Sequence, residues 1–181
     1  MLEKLAELAR PALNWPYIRR VRRNHGLEHA TITVLTARRR VRLSGRSDDS
    51  GFVVLGDVPT AEVEAAVTEA LRRMRGGERG LAVHPNCGTN LVTTGFLASL
   101  VGLVGLSGAS RRSGFNRLPL VMTLMMAVIL YSQPLGLEIQ RHFTTDGDPG
   151  DLAVLRISRR EVRLPISDQP LVVHRVDTWS N

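Results

Sequence analysis

The sequence predicts an α+β fold. A small α/β unit, made of a helix carrying His-x-x-Glu-His, strands and a second helix, is joined to a two-helix transmembrane hairpin, and a C-terminal β tail completes the sheet. Three observations predict this. Two uncharged runs, 91–110 and 118–137, each have the length that crosses a bilayer. Ahead of them, helical spacing of apolar residues alternates with short strand-like runs. Behind them, DLAVLRIS, REVRLP and PLVVHRV read as strands.

Residues 1–16 form a short interfacial or packing helix, because Leu2, Leu5, Ala6, Leu8, Ala9, Ala12 and Leu13 fall on one helical face. Glu3 and Glu7 interrupt the apolar run, so a cleavable signal peptide is not expected. Residues 17–88 are read as the α+β metal-binding unit. A helix is expected over 17–37, followed by two strands around a Ser/Asp/Gly turn in RVRLSGRSDDSGFVVLG. DVPTAEVEAAVTEALRRM then supplies a helix, with Thr60 as N-cap, Glu62 and Glu64 in the first turn, and Arg72 and Arg73 near the end. It stops at Gly76 and Gly77. LAVHP is short enough for one more strand, which gives the order αββαβ.

Residues 89–137 are read as the transmembrane hairpin, with the charged break RRSGFNR between its arms. Gly95, Gly102, Gly105 and Gly108 allow the close packing common between membrane helices. The alternative, a hairpin buried in a soluble protein, would need 20-residue stretches free of charge. A hairpin returns to its own side, so the 17–88 unit and the tail, 138–181, share a compartment. Arg72, Arg73, Arg75, Arg79 and Arg141 outnumber Arg111, Arg112 and Arg117 of the loop, which places that compartment in the cytoplasm.

The net charge of +7 is almost entirely arginine, since Lys4 is the only lysine. Aromatic residues make up 4% of the chain, few for stacking bases, and the arginines flank membrane runs. No nucleic-acid partner is expected. The expected partners are the lipid bilayer and a membrane-protein or peptide substrate. Cys87, the single cysteine, rules out an internal disulfide.

The chemistry concentrates in NHGLEHATI, residues 24–32. On a helix, Ile18, Val21, Ile32 and Leu35 recur at three- and four-residue steps, and His25 and Glu28 complete that stripe with His29 beside them. Two imidazoles and a carboxylate turned toward a core need partners, because unpaired burial costs several kcal/mol. A metal ion satisfies them together; a hydrogen-bonded His/Glu cluster or an arginine-paired Glu28 is the alternative. Histidines at i and i+4 can ligate one ion, and Glu28 on the same face can act as general base, in the order called inverzincin.

A second cluster, His84-Pro85-Asn86-Cys87-Gly88-Thr89, turns directly before the first apolar run. His84 and Cys87 are third or fourth ligand candidates, and a His/His/Cys set with an open water position is a known catalytic zinc arrangement. Otherwise His84 is a turn residue bonded to backbone and Cys87 a small packed thiol. The candidate metal set is therefore His25, His29, His84 and Cys87, for zinc or another divalent transition metal. His142, just past the second apolar run, is read as an interfacial histidine, with a place near the site as the alternative, and His174, in a strand-like run, receives no role.

HGLEHATI at 25–32, HPNCGTN at 84–90 and LEIQRHFTT at 137–145 resemble the marks of an uncharacterised bacterial membrane family, the YqhQ-like proteins. The pattern there is similar to HGAEH, then HPxCGT before hydrophobic spans, then LQ and TT. The resemblance covers residues 24 to about 150 and departs from the pattern at TTDGDPGD. It implies a metal-dependent enzyme in the bacterial inner membrane and marks His25, Glu28, His29, His84 and Cys87, with Gln140, Thr144 and Thr145 in support. The expected function is a membrane-anchored zinc hydrolase of peptidase type. Glu28 is its base, and Asn86, Thr89 or Gln140 stabilise the oxyanion. The alternative is a non-catalytic membrane protein whose structural metal site serves assembly of a larger complex.

Overall fold

A computed structural model describes residues 1–163, 165 and 169–181. In chain order it contains α1 (Leu2–Leu8), α2 (Arg10–Leu13), α3 (Pro16–Arg38), β1 (Ser44–Asp48), β2 (Gly51–Leu55), α4 (Thr60–Arg75), a 3-10 turn (Arg79–Ala82), α5 (Gly88–Leu106), α6 (Arg111–Ile139), a π-helical turn (Gln140–Thr144), β3 (Ala153–Val162) and β4 (Leu171–Trp179). This is a mixed α+β architecture. Two units separate: Met1–His84 with Arg141–Asn181, and Pro85–Gln140.

The first unit is organised around α3. Pro16 suits a first turn, where its missing N–H leaves nothing unsatisfied. From Asn24 onward the helix is buried on most sides, with Leu27, Ala30, Val34 and Leu35 in the core. The sheet beside it is antiparallel, in the order β1-β2-β4-β3. The C-terminal strands therefore complete the sheet begun by the N-terminal hairpin. The β1–β2 turn is tightened by Asp48, which accepts from the Ser50 amide at 2.9 Å. Gly51 then lies so close to the Val176 carbonyl that a Cβ there would collide with it, and its φ of 148° also favours glycine. Phe52, Val54 and Val176 bury one face of the central strands. Against this core α4 turns Val63, Ala66, Val67, Ala70 and Met74, an i, i+3, i+4 pattern.

Across the end of the sheet, Arg175 donates to both Asp48 oxygens, at 2.7 and 2.9 Å, and to Asp177 at 3.0 Å. The guanidinium holds the Asp48 carboxyl down at about 2. Buried Asn24 ties the helix to the same corner, donating to the Asp48 carbonyl at 2.9 Å and accepting from the Thr178 hydroxyl at 2.6 Å.

Several expected features differ. LAVHP is no strand: Leu81 and Ala82 end the 3-10 turn, because both sides of β2 are already taken by β1 and β4 and the segment packs on α3 instead. Thr60 is the first residue of α4 and Pro59 precedes it as the cap; the Thr60 hydroxyl pairs with His174 Nε2 at 3.2 Å. Most of DLAVLRIS and the first three residues of REVRLP form one strand, β3, with an irregularity between Val154 and Arg156; Leu164 of REVRLP lies outside the described residues. The apolar stripe of α3 holds at Ile32 and Leu35, whereas Ile18 is exposed. The arginines before the motif are more than surface charge. Arg22 donates to the Thr145 carbonyl at 2.9 Å, Arg23 pairs with Asp151 at 2.6 Å, and Arg19 reaches the Asn181 carbonyl at 2.8 Å.

In the second unit α5 and α6 are both long and apolar enough to cross a membrane. At 1.5 Å per residue α5 is about 28 Å long. Side chains at Gly102 and Gly105 would run into Met125 and Val121, and the Thr94 and Ser132 hydroxyls meet at 2.6 Å, so the two helices are antiparallel. Leu91, Phe96, Leu103, Leu130 and Tyr131 are exposed. In the most apolar window of α5 only 6% is buried, which does not fit a hairpin sunk in a soluble core.

His174 makes the first unit acid-sensitive. Burial, reinforced by Arg159 against a smaller opposing effect of Asp57, pushes its imidazole below the usual range. The unfolded chain takes up a proton near pH 6.5 where the folded protein resists it, so this contribution to stability is present above about pH 6.5 and lost as pH falls below it. The melting temperature of detergent-solubilised protein should therefore drop between pH 7.5 and 5.5, and the drop should be smaller in His174→Gln. An equal drop in both proteins would contradict this.

Candidate metal centre

Two histidines one turn apart on α3 point to two different main-chain straps. His25 Nδ1 lies 2.9 Å from the Thr144 carbonyl, and His29 Nδ1 lies 2.8 Å from the Ala82 carbonyl. A carbonyl oxygen only accepts, so both Nδ1 atoms carry the hydrogen, and in each neutral ring the lone pair sits on Nε2. This is how ligating histidines are commonly oriented: an outer carbonyl fixes the tautomer and turns the other nitrogen toward the ion. The rings meet edge to face with centroids 4.4 Å apart, and a nitrogen of one lies within 4.8 Å of a nitrogen of the other. Such a pair could hold one metal ion.

His84 follows the 3-10 turn that supplies the Ala82 carbonyl, and its ring centroid is 5.8 Å from that of His29. Burial pushes the His84 imidazole below its ordinary range, which favours the neutral ring over the charged one. His25, His29 and His84 thus gather in the first unit. Glu28 is there too, 4% exposed, with its carboxylate against β1. Gly45 makes the room: a Cβ there would come within 2.8 Å of Glu28 Cδ.

The straps reach the helix because position 26 has no side chain. A Cβ on Gly26 would strike the Asp146 carbonyl and approach the Ala82 Cβ to 3.2 Å. Glycine inside a helix costs about 1 kcal/mol relative to alanine, and here that cost admits two segments that hold the imidazoles. The Asp146 amide donates to the Arg22 carbonyl at 3.0 Å, and the Arg22 side chain donates to the carbonyls of Thr145 and, at 3.3 Å, His142.

Asn86, Cys87, Thr89 and Gln140 belong to the second unit. Cys87 is the N-cap of α5, buried, and its Sγ accepts from the Thr89 amide at 3.4 Å. Asn86 is exposed. Gln140, fully buried, donates to Asn90 Oδ1 at 2.8 Å, and Asn90 donates to the Pro85 carbonyl at 2.6 Å. Thr144 and Thr145 act in the first unit through main-chain carbonyls. Sequence reasoning missed the functions of Asn24, Arg22, Gly26 and Gly45; the glycine between His25 and Leu27, unfavourable in a mid-helix position, was the legible signal.

Residues 20–157 match the model of a family described as a domain of unknown function, DUF6391. The chain belongs to this family. An uncharacterised protein of the cyanobacterium Picosynechococcus sp. is 34% identical over 136 residues, covering 69% of this chain. The chain spans 65% of that relative's length, just under two thirds. No solved structure matches. The DUF6391 match takes in His25, Glu28, His29, His84, Cys87, Gln140, Thr144 and Thr145. It supports a family of unknown function and does not extend to the YqhQ-like name.

If Gly26 holds the straps against the DUF6391 helix, Gly26→Ala should push the 146 segment outward. The expected loss is about 1–3 kcal/mol, as for overpacking elsewhere, read as a lower urea midpoint with faster proteolysis near residue 146. An unchanged midpoint and cleavage pattern would remove that role.

Proposed function

We propose that the protein is a membrane-anchored, metal-dependent hydrolase, of peptidase type, working at the membrane surface. The observation that carries this reading is the pair of imidazoles one turn apart on α3, each fixed at Nδ1 by a main-chain carbonyl, with nitrogens of the two rings within 4.8 Å. His25 and His29 are the primary ligands, with His84 or Cys87 as the third, which leaves the fourth position to water. Chain continuity supports Cys87, since three residues beyond His84 it lies within about 10 Å of it along even a fully extended chain. The mix of imidazole and thiolate donors suits zinc. When bound, a divalent transition metal supplies Lewis acidity and makes water a stronger acid. Glu28 takes up the proton released as water attacks a carbonyl carbon and returns it to the leaving group. Asn86, Thr89 or Gln140 donates to the oxyanion. Residues 1–84 and 141–181 share the cytoplasmic side of a bacterial inner membrane that α5 and α6 cross; the exposed apolar side chains of those helices support the crossing, and the arginine distribution the side.

A second reading is a structural metal site in an accessory factor of a membrane complex. The closeness of His84 to His29 is the observation behind it: if His84 and Cys87 ligate together, four protein ligands leave no open position for water.

Purified protein should contain about one zinc per chain, as one tetrahedral site requires, and His25→Ala/His29→Ala should lose it. Glu28→Gln should retain the metal while hydrolysis of a quenched-fluorescent peptide stops; metal loss in Glu28→Gln would instead make Glu28 a ligand, and a metal-free wild type would end both readings. Cysteines placed at Ser113 and Ser180 should be labelled from opposite sides of the membrane. Labelling from one side would dismiss the two-pass topology.

A further inference from the structure

Residues 1–14 make a helical rod of their own. Main-chain amides of Leu5, Ala9, Leu13 and Asn14 donate four residues back, to Met1, Leu5, Ala9 and Arg10, and Ala9 between α1 and α2 keeps helical dihedrals, so the winding carries through the join. At 1.5 Å per residue the rod is about 20 Å long. None of its residues is buried. Two apolar stripes nevertheless run along it. Leu2, Ala6, Ala9 and Leu13, at steps of four, three and four, are half-buried and form the packed side, where α2 meets α3. Met1, Leu5, Leu8, Ala12 and Trp15 form the second stripe, about 100° round the axis from the first, and all are exposed, Leu8 at 79% and Trp15 at 65%.

Charge is sorted around the same axis. By helical spacing Glu3, Glu7 and Arg10 lie on the side remote from the exposed stripe, and Lys4 is the charged residue that borders it. Beyond Pro16 the exposed apolar surface continues in Tyr17 and Ile18. A contiguous stripe of this length differs from the single apolar residues scattered over ordinary protein surfaces. As a coiled-coil seam it spans only about two heptads, short of the three or four that such a seam needs. A lipid surface matches each feature. Trp and Tyr concentrate where headgroups meet hydrocarbon, a lysine beside an apolar face extends its ammonium to the phosphates, and the carboxylates are turned away from them. Lipid is also at hand, because the first unit is joined to the hairpin at two points, His84 to Pro85 and Gln140 to Arg141.

We propose that residues 1–15 are an interfacial anchor, lying in the plane of the bilayer with Leu5, Leu8, Ala12 and Trp15 among the upper acyl chains and Lys4 at the phosphates. The inference rests on the membrane placement of α5 and α6 and is independent of the metal and of hydrolysis. Two chain connections alone leave a unit free to swing on them. A third attachment, made by a rod that packs on α3 through its other stripe, restricts that swing and holds the helix bearing His25 and His29 at the membrane surface.

The test is tryptophan fluorescence of the full chain carrying Trp179→Phe, which leaves Trp15 as the single tryptophan, in nanodiscs that hold one chain each. Phosphatidylcholine brominated near the carboxyl end of its acyl chains should quench Trp15 strongly, and the same lipid brominated near the methyl end should quench it weakly. Leu5→Gln/Leu8→Gln should lose most of this quenching at an unchanged melting temperature, because both side chains are exposed. Phe96→Trp, midway along α5 and placed in a Trp15→Phe/Trp179→Phe chain, should show the opposite order of quenching. If Phe96→Trp is quenched and Trp15 is not, the anchor is refuted and the membrane crossing stands. Quenching of neither would refute both. Undiminished quenching in Leu5→Gln/Leu8→Gln would overturn the proposal, and so would quenching of Trp15 that appears only when two chains share a disc, a result that assigns the stripe to a second copy.

Discussion

The first unit depends on one constraint: two main-chain segments must reach a buried helix closely enough for their carbonyls to accept imidazole hydrogens. Gly26 permits the approach, and His25 and His29 use it. A neutral imidazole bonded only to water could adopt either tautomer and several orientations. Bonded at Nδ1 to carbonyls of Thr144 and Ala82, each ring is held in one state, with its second nitrogen presented in a known direction. Each bond contributes about 1 kcal/mol to stability, but its larger effect is on which nitrogen carries the lone pair.

The same contacts explain why distant parts of the chain form one unit. The strap carrying Thr144 lies 119 residues from His25, and Arg22 and Arg23 fasten its continuation at Thr145 and Asp151. Asn24 binds both ends of the sheet corner, Asp48 and Thr178. Four consecutive residues, Arg22 to His25, thus hold the tail, the sheet and the strap. The helix is less an amphipathic element on a surface than a hub, which accounts for its burial on most sides from Asn24 onward.

The second unit follows a different physical rule. Its helices pack through glycines at one end and leave apolar side chains outward, an arrangement stable where hydrocarbon replaces water. Its polar residues are gathered at the other end. There Gln140, Asn90 and the Pro85 carbonyl form a hydrogen-bonded relay, and Thr94 pairs with Ser132. Such groups would be expensive unsatisfied in an apolar setting, and pairing them fixes the base of the hairpin.

Much of this is legible in the residues alone. Charge-free runs set the two long helices, because a helix of about 20 apolar residues matches the bilayer. The Ser/Asp/Gly turn sets the first hairpin, and the i, i+4 histidines mark the site. LAVHP was misread because a short apolar run looks the same beside a sheet as beneath a helix; only the occupied edges of β2 decide which. Thr60 was misread because capping preference does not record that a buried histidine 114 residues away needs its hydroxyl. What the sequence by itself determined are the local properties: spacing, hydropathy, and the residue types able to hold a metal. Only the tertiary structure decided which carbonyls face His25 and His29, that His84 joins them, and that Glu28 lies against Gly45. Those depend on hydrogen bonds and close approaches between residues far apart in the chain, and no local pattern encodes them.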